Sequence, residues 1–282
     1  MQQRRNNMKI NFWGVRGSYP CWGDHCTQIG GQTSCVSATL SNTQQSHIIF
    51  DMGTGMIALG KQLRDQGIKQ ITIIVSHFHL DHLMGLAFFK PIWDEDTTLT
   101  FYSPHLSKGL DLETTLKTKL FCPPLFPVPF QEVPATCHFK TFQTGDSLSL
   151  PNEITLKTLD LNHPGCATGY RLEHKGKAFC YITDHEHSAD FNEAQMLDFV
   201  QNADLMVFDT MFTPEDFQTY ATWGHSSWRS GVDVALKAAV KKLALFHMSP
   251  DYNDDKLLEI EQDAQRLFPN TLLAREGSSV DL

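Results

Sequence analysis

His77, His79, Asp81 and His82 place four metal-liganding side chains within six consecutive positions. Three imidazoles and a carboxylate suit a borderline-soft divalent ion such as zinc, and they are too many for one open catalytic site, so the spacing suggests two ions. Manganese or iron remains open, because a His-rich site with carboxylates accepts several metals. The cluster follows Ile71-Thr72-Ile73-Ile74-Val75, a run whose length and β-branched composition predict a buried strand. Its ligands therefore stand where a strand gives way to a loop, a favoured position for catalytic groups on a rigid scaffold. A polar turn with solvated histidines is the bland alternative, and the density of four ligand types argues against it.

Later in the chain, three isolated candidates also follow strand-like runs. His163 comes after Ile154-Thr155-Leu156-Lys157-Thr158-Leu159, Asp184 after Phe179-Cys180-Tyr181-Ile182-Thr183, and His247 after Leu243-Ala244-Leu245-Phe246. Further strands are expected over 8–13, 34–40, 47–50 and 99–102, and helices over 56–66, 83–89, 193–201, 231–241 and 254–267. Strands alternating with helices in two similar halves fit an α/β (α+β) chain, a four-layer αββα sandwich. No linker or composition break interrupts the 282 residues. They read as a single domain, 1–282, with a loose polar tail at 1–7 and an insertion at 103–135. Within it, residues 121–130 hold four prolines and three phenylalanines, which excludes helix and central strand. That stretch suits a rigid loop burying its own rings, a lid over the metals, or a homodimer interface.

Composition narrows the partners. No apolar run approaches the roughly 20 residues a membrane span needs, so no membrane partner is expected. The polar start lacks a secretory core, which together with seven cysteines in no disulfide-like pattern predicts a cytoplasmic protein. Cys21, His25 and Cys26 suggest an auxiliary metal, although no second pair follows at finger spacing. Cys166 reads as a small buried residue or as a border of the metal pocket. The net charge of −9 comes with no extended Lys/Arg run, so no extended nucleic acid is expected. A small phosphate ester could still bind, because bound cations offset the acidity locally.

The HxHxDH motif with its later His, Asp and His resembles the signature of the metallo-β-lactamase-fold hydrolases. The resemblance implies that His77, His79 and His163 hold one ion and that Asp81, His82 and His247 hold the second. It also implies that Asp184 bridges them and that Asp51 orients a liganding histidine. Asp209-Thr210 with Trp223-Gly224-His225-Ser226-Ser227 resembles the acidic and HST motifs of the tRNase Z and phosphoribosyl cyclic phosphodiesterase branch. It departs from them in the acidic motif and in Ser227, where Thr is more usual. A phosphodiesterase is implied, with attack by a metal-bridging hydroxide, His225 as general acid, Asp209 as its partner, and Asp81 in the catalytic set. Without the resemblance, His225 could equally cap the helix that follows.

Segments 12–18 and 30–35 look like the same group, which makes Arg16, Thr33 and Ser34 candidate substrate contacts, beside the plainer readings of salt bridge and turn. His185, Glu186 and His187 read as pocket-lining groups. The expected substrate is a small or cyclic phosphate ester; the acidic charge and the lack of a basic, Gly-rich arm argue against tRNA 3′ processing. A lactonase or thioesterase of the same fold, or a non-catalytic metal-binding protein, stays open.

Overall fold

The computed structural model describes residues 8–40, 46–105, 111–188 and 192–282; the stretch 1–7, expected as a loose tail, lies outside them. The chain forms two compact units. One comprises Met1–Gly14, Gln32–Gln143 and Glu276–Asp281, and the other Val15–Gly31, Thr144–Arg275 and Leu282.

The first unit carries strands β1 (Met8–Gly14), β2 (Cys35–Leu40), β3 (Ser46–Phe50), β4 (Gln70–Ile74), β5 (Thr98–Pro104) and β6 (Thr136–Phe142), and from the chain's end β14 (Ser279–Asp281). They form one sheet in the order β14-β1-β2-β3-β4-β5-β6. β4 runs parallel to both neighbours, pairing Ile71 with His47 and with Leu99. A strand enclosed in this way reads as a continuous apolar run, which is what residues 71–75 show. Helix α1 (Met56–Asp65) buries Met56, Leu59 and Leu63, one helical stripe. They join a core containing Ile49, Ile73 and Phe101.

No helix forms over 83–89. Short 3-10 turns at Leu80–His82, Leu86–Phe88 and Lys90–Trp93 replace it. The cause is the segment's backbone pairing with the loop after β3: Met52 N–H donates to His82 O and Gly85 N–H to Met52 O, both at 2.8 Å. A Cβ on Gly85 would lie 2.0 Å from Gly53 O, so only glycine permits that approach. Between β5 and β6, α2 (Leu112–Thr115) leads through a π-helical turn, Leu116–Leu120, into the proline-rich stretch. There Phe121 packs edge-on against Phe126 at 5.2 Å and Phe130 at 5.3 Å, so the loop buries its own rings, while Leu125 is 81% exposed.

The second unit carries β7 (Ser147–Leu150), β8 (Ile154–Leu161), β9 (Ala167–His174), β10 (Lys177–Ile182), β11 (Leu205–Asp209), β12 (Leu243–Phe246) and β13 (Thr271–Leu273). Its sheet order is β13-β12-β11-β10-β9-β8-β7. β10 to β13 are mutually parallel and β7 to β10 antiparallel. Helices α3 (Glu193–Val200), α4 (Pro214–Thr219), α5 (Trp228–Lys237) and α6 (Asp254–Leu267) belong to this unit. α5 starts three residues before the apolar pattern suggests. Ser227, not His225 or Ser226, caps it by accepting from Ser230 N–H at 3.2 Å. Among the described residues, no helix is long and apolar enough to cross a membrane.

Candidate active site

In the first unit the parallel strands β3 and β4 deliver their C-terminal ends side by side, with Asp51 following one and Ser76-His77 the other. Asp51 is fully buried, and its carboxylate accepts from Ser76 N–H at 2.7 Å, Ser76 Oγ–H at 2.8 Å and His82 Nδ1 at 2.8 Å. With Nδ1 directed at a carboxylate, Nε2 of His82 carries the ring's lone pair, the arrangement a metal ligand needs. His77 and His79 rings meet edge-on at 4.4 Å, and those of His77 and His82 lie 4.3 Å apart. Asp81 Oδ2 lies 3.2 Å from His82 Nε2. The first unit thus gathers all four members of the motif.

In the second unit the parallel strands β10, β11 and β12 end on one side of the sheet, and their ends carry Asp184, Asp209 and His247. Asp184, His225 and His247 each offer a ligand atom, all within 4.8 Å of one another. Thr183 Oγ–H donates to Asp184 Oδ2 at 2.6 Å. His163, after β8, points Nδ1 at the Gly224 carbonyl at 2.8 Å and brings Nε2 to 3.7 Å from Asp184. His225 Nδ1 meets Asp209 Oδ2 at 2.7 Å, and its ring stacks on His247 at 4.9 Å. This donor set of buried imidazoles and carboxylates, with ring orientation set from behind, fits a divalent metal ion.

Asp51, Asp184 and His247 hold φ of 62°, 53° and 59°, the left-handed region that such residues seldom enter. Asp51 and His247 follow a strand directly, and Asp184 stands one residue further on. Left-handed backbone turns each side chain at a point where a continuing strand would carry it past, and such strain concentrates at functional sites.

His185 is fully buried, and burial, then His187 and His163, push its pKa down to about 3. Its main chain does the positioning: N–H donates to Asp209 at 3.2 Å, and its carbonyl accepts from Ser226 Oγ–H. Glu186 accepts from Gly224 N–H at 2.9 Å. Both brace the loop that carries His225, a role that motif reading leaves open.

The structure places the predicted substrate contacts in the interior. Arg16 is fully buried and donates to the carbonyls of Gly30, Ser249 and Tyr252 at 2.7–3.0 Å, beside Asp254 at 3.5 Å. Its charge holds together segments of the second unit. Thr33 and Ser34 are buried too; the Thr33 hydroxyl donates to Asp81 O at 2.7 Å and so anchors the ligand turn. Cys166, expected to be small and buried or to border the pocket, is exposed in a turn with φ 70°. Burial pushes the Cys21 thiol up to about 11, with its hydrogen bond to Cys26 adding to the rise.

The beta-lactamase superfamily domain family matches residues 47–248. The ribonuclease Z of Synechocystis sp. is 36% identical over 331 aligned positions, spanning 98% of this chain and 94% of that protein. Among solved structures, the metallo-beta-lactamase fold protein YhfI from Bacillus subtilis superposes with a TM-score of 0.74 at 19% identity, covering 99% of this chain and 100% of YhfI. The short form of human tRNase Z gives 0.65 at 18% identity, covering 96% and 98%. The chain belongs to the beta-lactamase superfamily, in its ribonuclease Z-like branch of metal-dependent phosphodiester hydrolases.

That membership corrects one expectation. The acidic balance predicts no extended nucleic acid, yet likeness to a ribonuclease along almost the whole chain overturns this. Net charge sums over the entire surface, whereas a few phosphate contacts beside bound cations need no long basic run.

Proposed function

We propose that the chain hydrolyses phosphodiesters at a two-ion centre held by His77, His79, Asp81, His82, His163, Asp184 and His247. Zinc is the proposed ion. Bound divalent ions would supply charge neutralisation at phosphorus and a hydroxide at neutral pH. His77, His79 and His163 would hold one ion and Asp81, His82 and His247 the other, with Asp184 available to both.

The chain's own residues then complete the reaction. The departing alkoxide needs a proton, and general acids typically contribute 10²–10⁴-fold. His225 supplies it from Nε2, because Asp209 fixes Nδ1 as the proton-bearing partner and favours the charged ring. The observation that carries this reading is the 2.7 Å His225–Asp209 pair beside Asp184 and His247. A thioesterase has less use for such an acid, because its thiolate leaves without a proton. Kinship with ribonuclease Z brings the phosphodiester of an RNA under the same chemistry, alongside the small or cyclic ester expected from the sequence.

The test is turnover by zinc-loaded protein of bis(p-nitrophenyl) phosphate, 2′,3′- and 3′,5′-cyclic nucleotides and a 3′-extended RNA. Metal-dependent hydrolysis abolished by Asp184→Ala supports the reading, and the substrate with the highest kcat/KM identifies the ester. Stoichiometric zinc with hydrolysis of lactones or thioesters alone would falsify it.

A further inference from the structure

Next to the acid pair, the second unit opens a cavity of about 290 Å³ that no step above uses. Its lining includes Tyr19, Phe212, Tyr220, Trp223 and Tyr252. Phe212 and Tyr220 are stacked, with ring centres 5.0 Å apart and planes at 17°, and Trp223 meets Tyr220 edge-on at 5.0 Å. The row continues to the acid, since the Phe212 ring lies 6.2 Å from that of His225. Trp223 is 60% exposed and Tyr19 48%. Large rings left in water at this density need an explanation, because a packed core would have taken them in.

Charge says which part of a substrate belongs there. The lining carries two carboxylates, Asp216 and Asp251, and no lysine, arginine or histidine. Tyr19 Oη–H donates to Asp251 at 2.5 Å, and Tyr252 Oη–H donates to Asp216. A phosphate would be repelled by this wall. A flat ring would stack on the aromatic faces, and amino groups at its edge would find acceptors in the carboxylates.

The geometry points to a subsite for the nucleobase attached to the leaving oxygen, with Trp223 and Tyr220 as its stacking platform. Trp223 stands two residues before His225, and Gly224 between them has φ 88°. A Cβ there would lie 2.3 Å from Pro164 Cδ and 2.4 Å from His163 Nδ1. The turn is thus confined to glycine, and it ties the platform to the acid in a short, braced loop. The inference rests on the phosphodiesterase reading and makes it narrower: substrates are esters of nucleosides, whether in RNA or in a mononucleotide, and sugar phosphates lacking a base are poor ones.

Calorimetric titration of zinc-loaded protein with AMP and with ribose 5-phosphate tests this without turnover. AMP is expected to bind more tightly than ribose 5-phosphate. Trp223→Ala should weaken AMP by roughly 5- to 100-fold and leave ribose 5-phosphate unchanged, as base stacking elsewhere implies. Tyr220→Ala should act in the same direction, and Trp223→Phe should restore most of the affinity. Equal affinities in the unsubstituted protein, or equal weakening of both ligands in Trp223→Ala, would overturn the subsite. A base preference in a protein that hydrolyses no phosphodiester would sink the proposed activity and leave the subsite standing. Hydrolysis without any base preference would do the reverse.

Discussion

Asp209 spends both carboxylate oxygens on one loop. Oδ2 takes His225 Nδ1 and His185 N–H, and Oδ1 takes Met211 N–H at 3.1 Å and Ser226 N–H at 3.4 Å. A side chain held this way positions the acid and also closes the loop that carries it. His225→Ala should lower kcat by about 10²–10⁴-fold on substrates with a poor leaving group. It should cost far less on bis(p-nitrophenyl) phosphate, whose nitrophenolate leaves without help. Equal losses on both would show that His225 serves binding and not proton transfer. Asp51 is the counterpart on the metal side. Asp51→Ala removes the acceptor behind His82 and should weaken zinc about 10–100-fold in chelator competition. Unchanged affinity would mean that packing around the His82 ring suffices to hold it.

At the scale of elements, the ligands were legible because they close strands with clear sequence patterns. β4, β8, β10 and β12 carry β-branched or continuous apolar runs, and His77, His163, Asp184 and His247 follow within three residues of their ends. Other elements left weaker signals. β6 alternates exposed and half-buried positions, and β13 and β14 span three residues each. α4 buries no residue, so no apolar stripe announces it. Arg16 looked like a surface cation because its four partners lie far away in sequence, at Gly30, Ser249, Tyr252 and Asp254. The left-handed backbone at Asp51, Asp184 and His247 has no sequence mark, since these residue types adopt ordinary φ elsewhere.

Asp204, just before β11, joins two more segments. Its carboxylate accepts from Ala178 N–H at 2.9 Å, Lys241 at 2.9 Å and Lys177 at 3.3 Å. Burial pulls its pKa up, but the Ala178 N–H and the two lysines outweigh this and hold it below the usual carboxylate range. The stability it contributes is therefore present above the unfolded-state pKa and lost as pH falls through the folded one. Asp204→Ala should destabilise by about 1–3 kcal/mol at pH 7 in denaturant unfolding. That difference should shrink as the pH drops below about 4. A pH-independent deficit would assign the cost to packing.

For the molecule as a whole, the charge of −9 and the kinship with a ribonuclease pull in different directions, and salt dependence reconciles them. Affinity won through phosphate contacts falls with salt, because each contact releases condensed counterions, with a slope of about −0.7 per phosphate for single strands. A chain with 32 acidic and 23 basic residues and no extended basic run has few places to make such contacts. Several of its cations are also committed internally: Arg16 to carbonyls, Lys177 and Lys241 to Asp204, and Arg275 to Glu261 at 2.5 Å. On the proposed function, binding of an RNA would draw mainly on bound metal and on stacking. For a short 3′-extended RNA and the slowed, zinc-loaded His225→Ala protein, the slope of log Kd against log salt should correspond to about one to three phosphates. Trp223→Ala should weaken binding without changing that slope. A slope equivalent to six or more phosphates would reveal a concentrated basic face that the net charge conceals, and would shift RNA recognition from the ring of a base to the backbone.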